Sequence, residues 1–244
     1  MPAVPDRRLL VLRVAALVLD MDDTINQTDR AMRAGLRCAT RALWPQLGEP
    51  DRERSIQEYV ADRAGWFDRF ARGEIDFEEM RRGRLVDMAN GLGVRVDDEH
   101  LRRFESTYRS AFAEACTPWP DALALIDRAD AAGVPVAVLS NSAQQMTVMK
   151  VRRLGLEGRF AQVFSSDQLG AGKPDPGAYR AACARLDAVP AAVGYVDDHL
   201  RDAVGASRVG MQSVWLDRGG RGEGPADQPA VASLDQLLLE HVGP

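Results

Sequence analysis

Cysteine is scarce. Cys38, Cys116 and Cys183 are the only three in 244 residues, odd in number, far apart and in no metal-ligand spacing. That argues against a disulfide framework and for a reducing compartment, here read as the cytoplasm. Histidine is equally rare, and neither His100 nor His241 has a partner in sequence. No apolar stretch approaches the roughly 18 residues that a membrane span needs. An excess of positive charge is also missing: 31 Lys and Arg against 36 Asp and Glu leave a net charge of −5, which provides no electrostatic footing for a nucleic-acid partner. Near the N-terminus, Arg7-Arg8 followed by Leu9 to Leu19 has the outward form of a secretory signal. Arg13 interrupts it, however, no small-residue cleavage site follows, and Asp20 closes it, so it reads as an irregular leader and then a buried strand.

What the chain does contain is a set of short apolar runs, each closed by polar residues. Val14 to Leu19 ends in Asp20, Val134 to Leu139 ends in Ser140-Asn141-Ser142, and Ala192 to Val196 ends in Asp197-Asp198. Continuous apolar runs of this length are the pattern of strands buried on both faces of a parallel sheet. Helical stretches lie between them: Asp121 to Ala131 stops at Gly133, a natural helix terminator, while Pro176 to Leu186 and Arg201 to Val209 suit crossover helices. Gln212 to Leu216 adds a further strand. Strand, helix, strand in this order predicts an α/β, doubly wound, Rossmann-like parallel sheet.

From about Gln27 to Glu114 no such strand run occurs. Arginine, glutamate, alanine and leucine recur at helical periods instead, punctuated by Gly48-Glu-Pro50, Gly73 and Asn90-Gly91. The segment 27–114 is expected to form a helical unit inserted into a core made of 1–26 and 115–244. The cluster Arg81-Arg82-Gly83-Arg84, with acidic neighbours, reads as a solvated helix face. Trp66, Phe67 and Phe70 read as packing residues, Cys183 as a small core residue, and Gly219 to Pro225 as a surface loop.

In an open α/β sheet the ligand site lies outside the carboxyl ends of the strands, and that is where Asp20, Asp22, Asp197 and Asp198 fall. Such an oxygen-rich set suits magnesium. Lys173, in the proline- and glycine-rich Gly170-Ala-Gly-Lys-Pro-Asp-Pro176, is placed to meet the excess negative charge of the aspartates and a phosphate. The glycine-rich phosphate loop followed by Lys-Ser or Lys-Thr is missing, which argues against a P-loop NTPase. His199 reads as a surface loop residue.

In order, Asp20-Met-Asp-Asp-Thr24, Val138-Leu-Ser-Asn-Ser142, Gly172-Lys-Pro-Asp-Pro176 and Tyr195-Val-Asp-Asp-His-Leu-Arg-Asp202 resemble the motifs of the haloacid dehalogenase superfamily of aspartate-nucleophile hydrolases. The helical insert looks like that family's cap domain, which would close over the site. The resemblance implies that Asp20 is the nucleophile and a metal ligand. Asp22 would be the general acid and base, with its carbonyl on the metal. Ser140 and the Asn141 amide would hold the phosphoryl group, and Lys173 would orient the nucleophile. Asp197 would bind Mg2+, with Asp198 close by, while Thr24 and Asp202 would support the loops. Asp23 stands where glycine is most often found. Dehalogenases of the family generally lack an aspartate at the position of Asp22, because a halide leaves without a proton. The implied activity is hydrolysis of a small-molecule phosphate ester through an aspartyl-phosphate. A phosphomutase, a 2-haloacid dehalogenase-like hydrolase and a catalytically silent binding protein are the alternatives.

Overall fold

The computed structural model describes residues 9–220, 222 and 224–243. Arg7-Arg8 of the expected leader, and Arg221 and Glu223 of the expected glycine-rich loop, lie outside the described residues. Two strands open the chain, β1 (Leu10–Val14) and β2 (Ala16–Leu19). Five helices follow: α1 (Thr28–Leu43), α2 (Glu49–Ala61), α3 (Trp66–Ala71), α4 (Phe77–Gly91) and α5 (Asp98–Ala115). Then α6 (Pro120–Ala132), β3 (Val136–Ser140), α7 (Gln144–Arg153), β4 (Gln162–Ser165), the single turn α8 (Ser166–Leu169) and α9 (Pro176–Arg185) succeed one another. The chain closes with β5 (Val193–Asp197), α10 (Leu200–Arg208), β6 (Gln212–Leu216), β7 (Ala230–Val231) and β8 (Leu237–His241).

Six strands form one parallel sheet in the order β4-β3-β2-β5-β6-β7. The order reverses beside β2, so the carboxyl ends of β3, β2 and β5 are neighbours at the switch point. Every residue of β2, β3 and β5 is buried. This is why their sequences are unbroken apolar runs rather than alternations. Burial of each of Leu17, Val18 and Leu19 contributes about 1.5–3 kcal/mol against exposure. Crossover helices begin and end on local signals. Pro120 opens α6 and Gly133 closes it in the left-handed conformation at φ 70°, while the Asp175 carboxylate caps α9 by accepting from the Gly177 amide at 2.6 Å.

The chain divides into two compact units: the residues up to Asn26 together with those from Pro118 on, and Gln27–Thr117. The second is all helical and runs three residues beyond the expected 114, because α5 continues through Ala115. Asp76 and Asp97 cap α4 and α5 by accepting from the Glu79 and His100 amides.

Two expectations are corrected. Leu10–Val14 is no irregular leader but a strand, paired in parallel with β8 in a separate two-stranded sheet with Leu10 opposite Leu237. Its partner comes from the other end of the chain, which local pattern does not reveal. Nor is Arg81-Arg82-Gly83-Arg84 a uniformly solvated face. Arg81 is buried, bonded to Glu105 at 2.6 Å and stacked over Tyr108. Arg84 donates to the Tyr59 carbonyl at 2.7 Å and lies over its ring. Gly83 is required there, since a Cβ would sit 2.4 Å from the Trp66 ring.

A half-buried polar cluster joins α6 to the C-terminal part of the core. The Asp121 carboxylate accepts both Arg218 nitrogens at 2.7 and 2.9 Å, together with the Ser233 hydroxyl and the Leu234 amide at 2.9 Å each. Burial works to raise this carboxyl, but Arg218, Leu234 and Ser233 outweigh it and hold it below its ordinary range. A depressed folded-state pKa contributes stability above the unfolded value and loses it as pH falls through the folded one. Asp121→Asn is therefore expected to lower stability by about 2–3 kcal/mol at pH 7. In denaturant unfolding the gap from the parent should narrow as pH falls below the ordinary carboxylate range and through the depressed folded value; a pH-independent gap would show that charge is not what Asp121 contributes.

Candidate active site

The first apolar run ends by delivering Asp20 from β2. Its amide donates to the Val196 carbonyl of β5 at 2.9 Å, which continues the sheet for one more residue. Asp23 then adopts a left-handed backbone at φ 56°, the region that favours glycine, and its amide reaches back to the Asn26 carbonyl at 2.8 Å. This turn brings Asp22 to the same edge as Asp20. Thr24 is fully buried, and its hydroxyl accepts from the Asp198 amide at 3.2 Å, pinning the loop after β2 to the loop after β5. Arg218 grips the same turn through the Asp23 and Thr24 carbonyls.

Lys173 is the centre of the cluster. Its buried Nζ donates to Asp20 Oδ1 at 2.6 Å and to Asp197 Oδ2 at 2.7 Å. Asn141 holds it in place: Nδ2 donates to the Lys173 carbonyl at 2.8 Å and Oδ1 accepts the Lys173 amide at 2.7 Å. The Asn141 side chain is thus committed to the lysine loop. Burial works to deprotonate Lys173, but Asp197 and Asp20 prevail and hold it well above the usual lysine range. Asp197 is also buried. Despite that burial, Lys173, the Tyr195 hydroxyl at 2.5 Å and the His199 amide at 2.8 Å keep its carboxyl below the usual range.

Asp20 behaves oppositely. Burial pushes its carboxyl well up against the pull of Lys173, and Asp197, Asp22 and Asp198 push further. Its Oδ2 has no hydrogen-bond partner among the described residues, leaving that oxygen available for chemistry. Ser140 and Ser142, at the end of β3, both donate to Asp22 Oδ2, at 3.4 and 2.9 Å. Asp202 is buried and contributes to the field on Lys173. Its carboxylate bonds to Arg201 Nε at 3.1 Å, and its carbonyl accepts the Tyr179 hydroxyl. His199 has a largely exposed ring, as a surface residue should, yet it pairs with Asp198 Oδ1 at 2.9 Å, which raises it to about 9.

A divalent cation suits this donor set. Four carboxylates, Asp20, Asp22, Asp197 and Asp198, stand beside two ammonium groups, Lys173 and Lys150. Oxygen-only donors of this charge favour magnesium over softer metals. The carboxylates of Asp197 and Asp198 and the His199 ring lie within 4.8 Å of one another.

Three contributors were not anticipated from sequence. Tyr195 lies two residues before Asp197 and so on the same strand face, a signal that the period of two carries. Trp215 donates to the Asp198 carbonyl at 3.1 Å from the neighbouring strand. Lys150, on α7, bonds to Asp22 at 2.5 Å, and nothing in its local pattern marks it. A cavity of about 830 Å³ in the helical unit, bordered by Phe77, Arg81 and Leu101, shares no residue with this cluster.

A parallel sheet with an aspartate at the switch point, bridged by lysine to a second aspartate on the adjacent strand, defines a class of aspartate-centred hydrolases. The haloacid dehalogenase-like hydrolase family model matches residues 14–210, and the chain belongs to that family. It is 34% identical to phosphoserine phosphatase of Thermus thermophilus over half of each chain. To (S)-2-haloacid dehalogenase 2 of Pseudomonas sp. it is 26% identical, over 67% of this chain and 70% of the relative. The chain thus spans about half the length of the first relative. Among solved structures, magnesium-bound YfnB of Bacillus subtilis superposes with a TM-score of 0.75 at 20% identity, covering 92% of this chain and 96% of that one. Among the described residues no helix is long and apolar enough to cross a membrane.

Proposed function

We propose that the chain is a magnesium-dependent phosphatase acting on the phosphate monoester of a small metabolite, with no nucleic-acid or membrane partner. The observation that carries this reading is Asp22. A carboxylate two residues after Asp20, held by Ser142 at 2.9 Å and still about a quarter exposed at its side chain, suits a leaving-group acid. A departing halide has no use for one.

In the proposed reaction Asp20 Oδ2 forms a bond to phosphorus while the bond from phosphorus to the ester oxygen breaks, and Asp22 gives its proton to the departing alkoxide. Water then attacks the aspartyl-phosphate, Asp22 takes a proton from it, and inorganic phosphate and free Asp20 result. Lys173 holds Oδ1, which aims Oδ2 and offsets its charge. Ser140 and the Asn141 amide, at the end of β3, are suited to hold the phosphoryl oxygens. Asp20, the Asp22 carbonyl and Asp197 would hold Mg2+, with Asp198 alongside; when bound, the ion supplies charge neutralisation for the transferring group.

The (S)-2-haloacid dehalogenase relative supports a second reading, in which Asp20 attacks carbon and halide leaves. One assay separates the two. Purified protein with Mg2+ is expected to release phosphate from p-nitrophenyl phosphate, to lose that activity with EDTA, and to release no chloride from 2-chloropropionate. Chloride release without phosphate release across a panel of phosphate esters would reverse the assignment.

A further inference from the structure

Lys150 is buried to 2% exposure on α7, beside buried Thr147 and Val151. A lysine in that setting is strongly unfavourable unless its charge is met. Its Nζ meets Asp22 Oδ1 at 2.5 Å and Ser142 Oγ at 3.1 Å. Ser142 Oγ in turn donates to Asp22 Oδ2 at 2.9 Å, and Ser140 Oγ lies 3.4 Å from the same oxygen. Both oxygens of one carboxylate are therefore gripped, one from a helix and the other from the end of β3. A single contact would leave the carboxylate free to rotate. This arrangement removes that freedom.

We propose that Lys150 is a positioning residue for Asp22, drawing its carboxylate towards the end of β3 and fixing the orientation in which it serves the leaving group. The inference rests on the phosphatase reading for its chemistry, but not for its geometry. Asp22 and Asp20 repel one another across the loop, so an Asp22 carboxylate without Lys150 has an electrostatic reason to swing out towards solvent. Lys150 opposes that swing from inside the core. Meanwhile the Asp22 side chain keeps 28% of its surface exposed, as a group that must reach substrate requires. The division of labour follows from position: Lys173 serves Asp20, and Lys150 serves Asp22.

A structural ion pair and a positioning pair differ in how the loss depends on the leaving group. An alkoxide needs the proton from Asp22 as it departs, whereas p-nitrophenolate leaves well without one. With Mg2+ present, Lys150→Met is expected to lower kcat/KM for 2-glycerophosphate by about 100-fold and for p-nitrophenyl phosphate by less than about 5-fold. Lys150→Arg should recover part of the difference. Asp22→Asn with Lys150→Met should be no slower than Asp22→Asn alone, since the two residues act as one unit. An equal loss on both esters, or none, overturns the proposal. A crystal structure of Lys150→Met gives a readout without turnover: the Asp22 carboxylate should leave Ser142 while Asp20 stays on Lys173. If it remains on Ser140 and Ser142, Lys150 does not position it. Should the parent protein turn over neither ester, the phosphatase reading falls, and the carboxylate position in the variant decides the role of Lys150 alone.

Discussion

Asp20→Asn is expected to abolish phosphate release, by on the order of 10⁴-fold or more, while leaving the fold intact. The amide is close to the same size and its carbonyl can still accept from Lys173, which keeps its second bond to Asp197 at 2.7 Å. What disappears is the anionic oxygen that must form the new bond to phosphorus, and no other group in the cluster is placed to replace it. Stability should change in the other direction. Burial raises the Asp20 carboxyl well above its ordinary value, so the folded, metal-free protein binds that proton more tightly than the unfolded chain does. The contribution is fully present below the unfolded pKa and is lost as pH rises through the folded one. Asparagine has no such dependence. Without metal, the variant should therefore melt above the parent at neutral pH, and the gap should narrow towards pH 4. Wild-type rates of phosphate release from the variant would remove Asp20 from the nucleophile's role.

Lys173→Met removes the only ammonium group bonded to both Asp20 and Asp197 among the described residues, and leaves two buried carboxylates facing one another. Breaking a buried pair in this way destabilises by about 3–5 kcal/mol, because the remaining charges are uncompensated. Both carboxyls then have folded-state values raised above their unfolded ones, so the variant should gain stability relative to the parent as pH is lowered. Added Mg2+ should recover part of the loss at pH 8 by supplying positive charge to the same oxygens. Phosphate release should fall by roughly 10²–10³-fold. Thermal melts at pH 5 and pH 8, with and without Mg2+, read all of this. A variant as stable as the parent at pH 8 without metal would show that Lys173 does not carry the charge balance.

Legibility from sequence tracked the range of the interactions involved. Strands β2, β3, β5 and β6 were readable because burial on both faces leaves an unbroken apolar run, and α6 because Gly133 terminates it. By contrast β1 and β8 were hidden, since Leu10 and Leu237 find each other across almost the whole chain. Arg81 and Arg84 misled, because charged residues at helical spacing look solvated until an aromatic face and a carbonyl are seen to receive them. Helix α7 and strand β4 have weaker periodicity, and with α7 went the signal for Lys150.

The amino-acid sequence by itself determined the α/β class, the helical insertion and the polar residues delivered at strand ends: Asp20 and Asp22 after β2, Ser140 and Asn141 after β3, Asp197 and Asp198 after β5, and Lys173 in its rigid loop. These are local facts, set by apolar runs, by turn chemistry and by residue order. Only the tertiary structure decided which charge meets which. That Lys173 spans Asp20 and Asp197, that Asn141 locks the lysine loop with both ends of its side-chain amide, and that Lys150 meets Asp22 all depend on strand order. The sheet sets β2 between β3 and β5 although more than a hundred residues separate it from either in the chain, and electrostatic pairing acts over a few ångströms of space, whatever the separation in sequence.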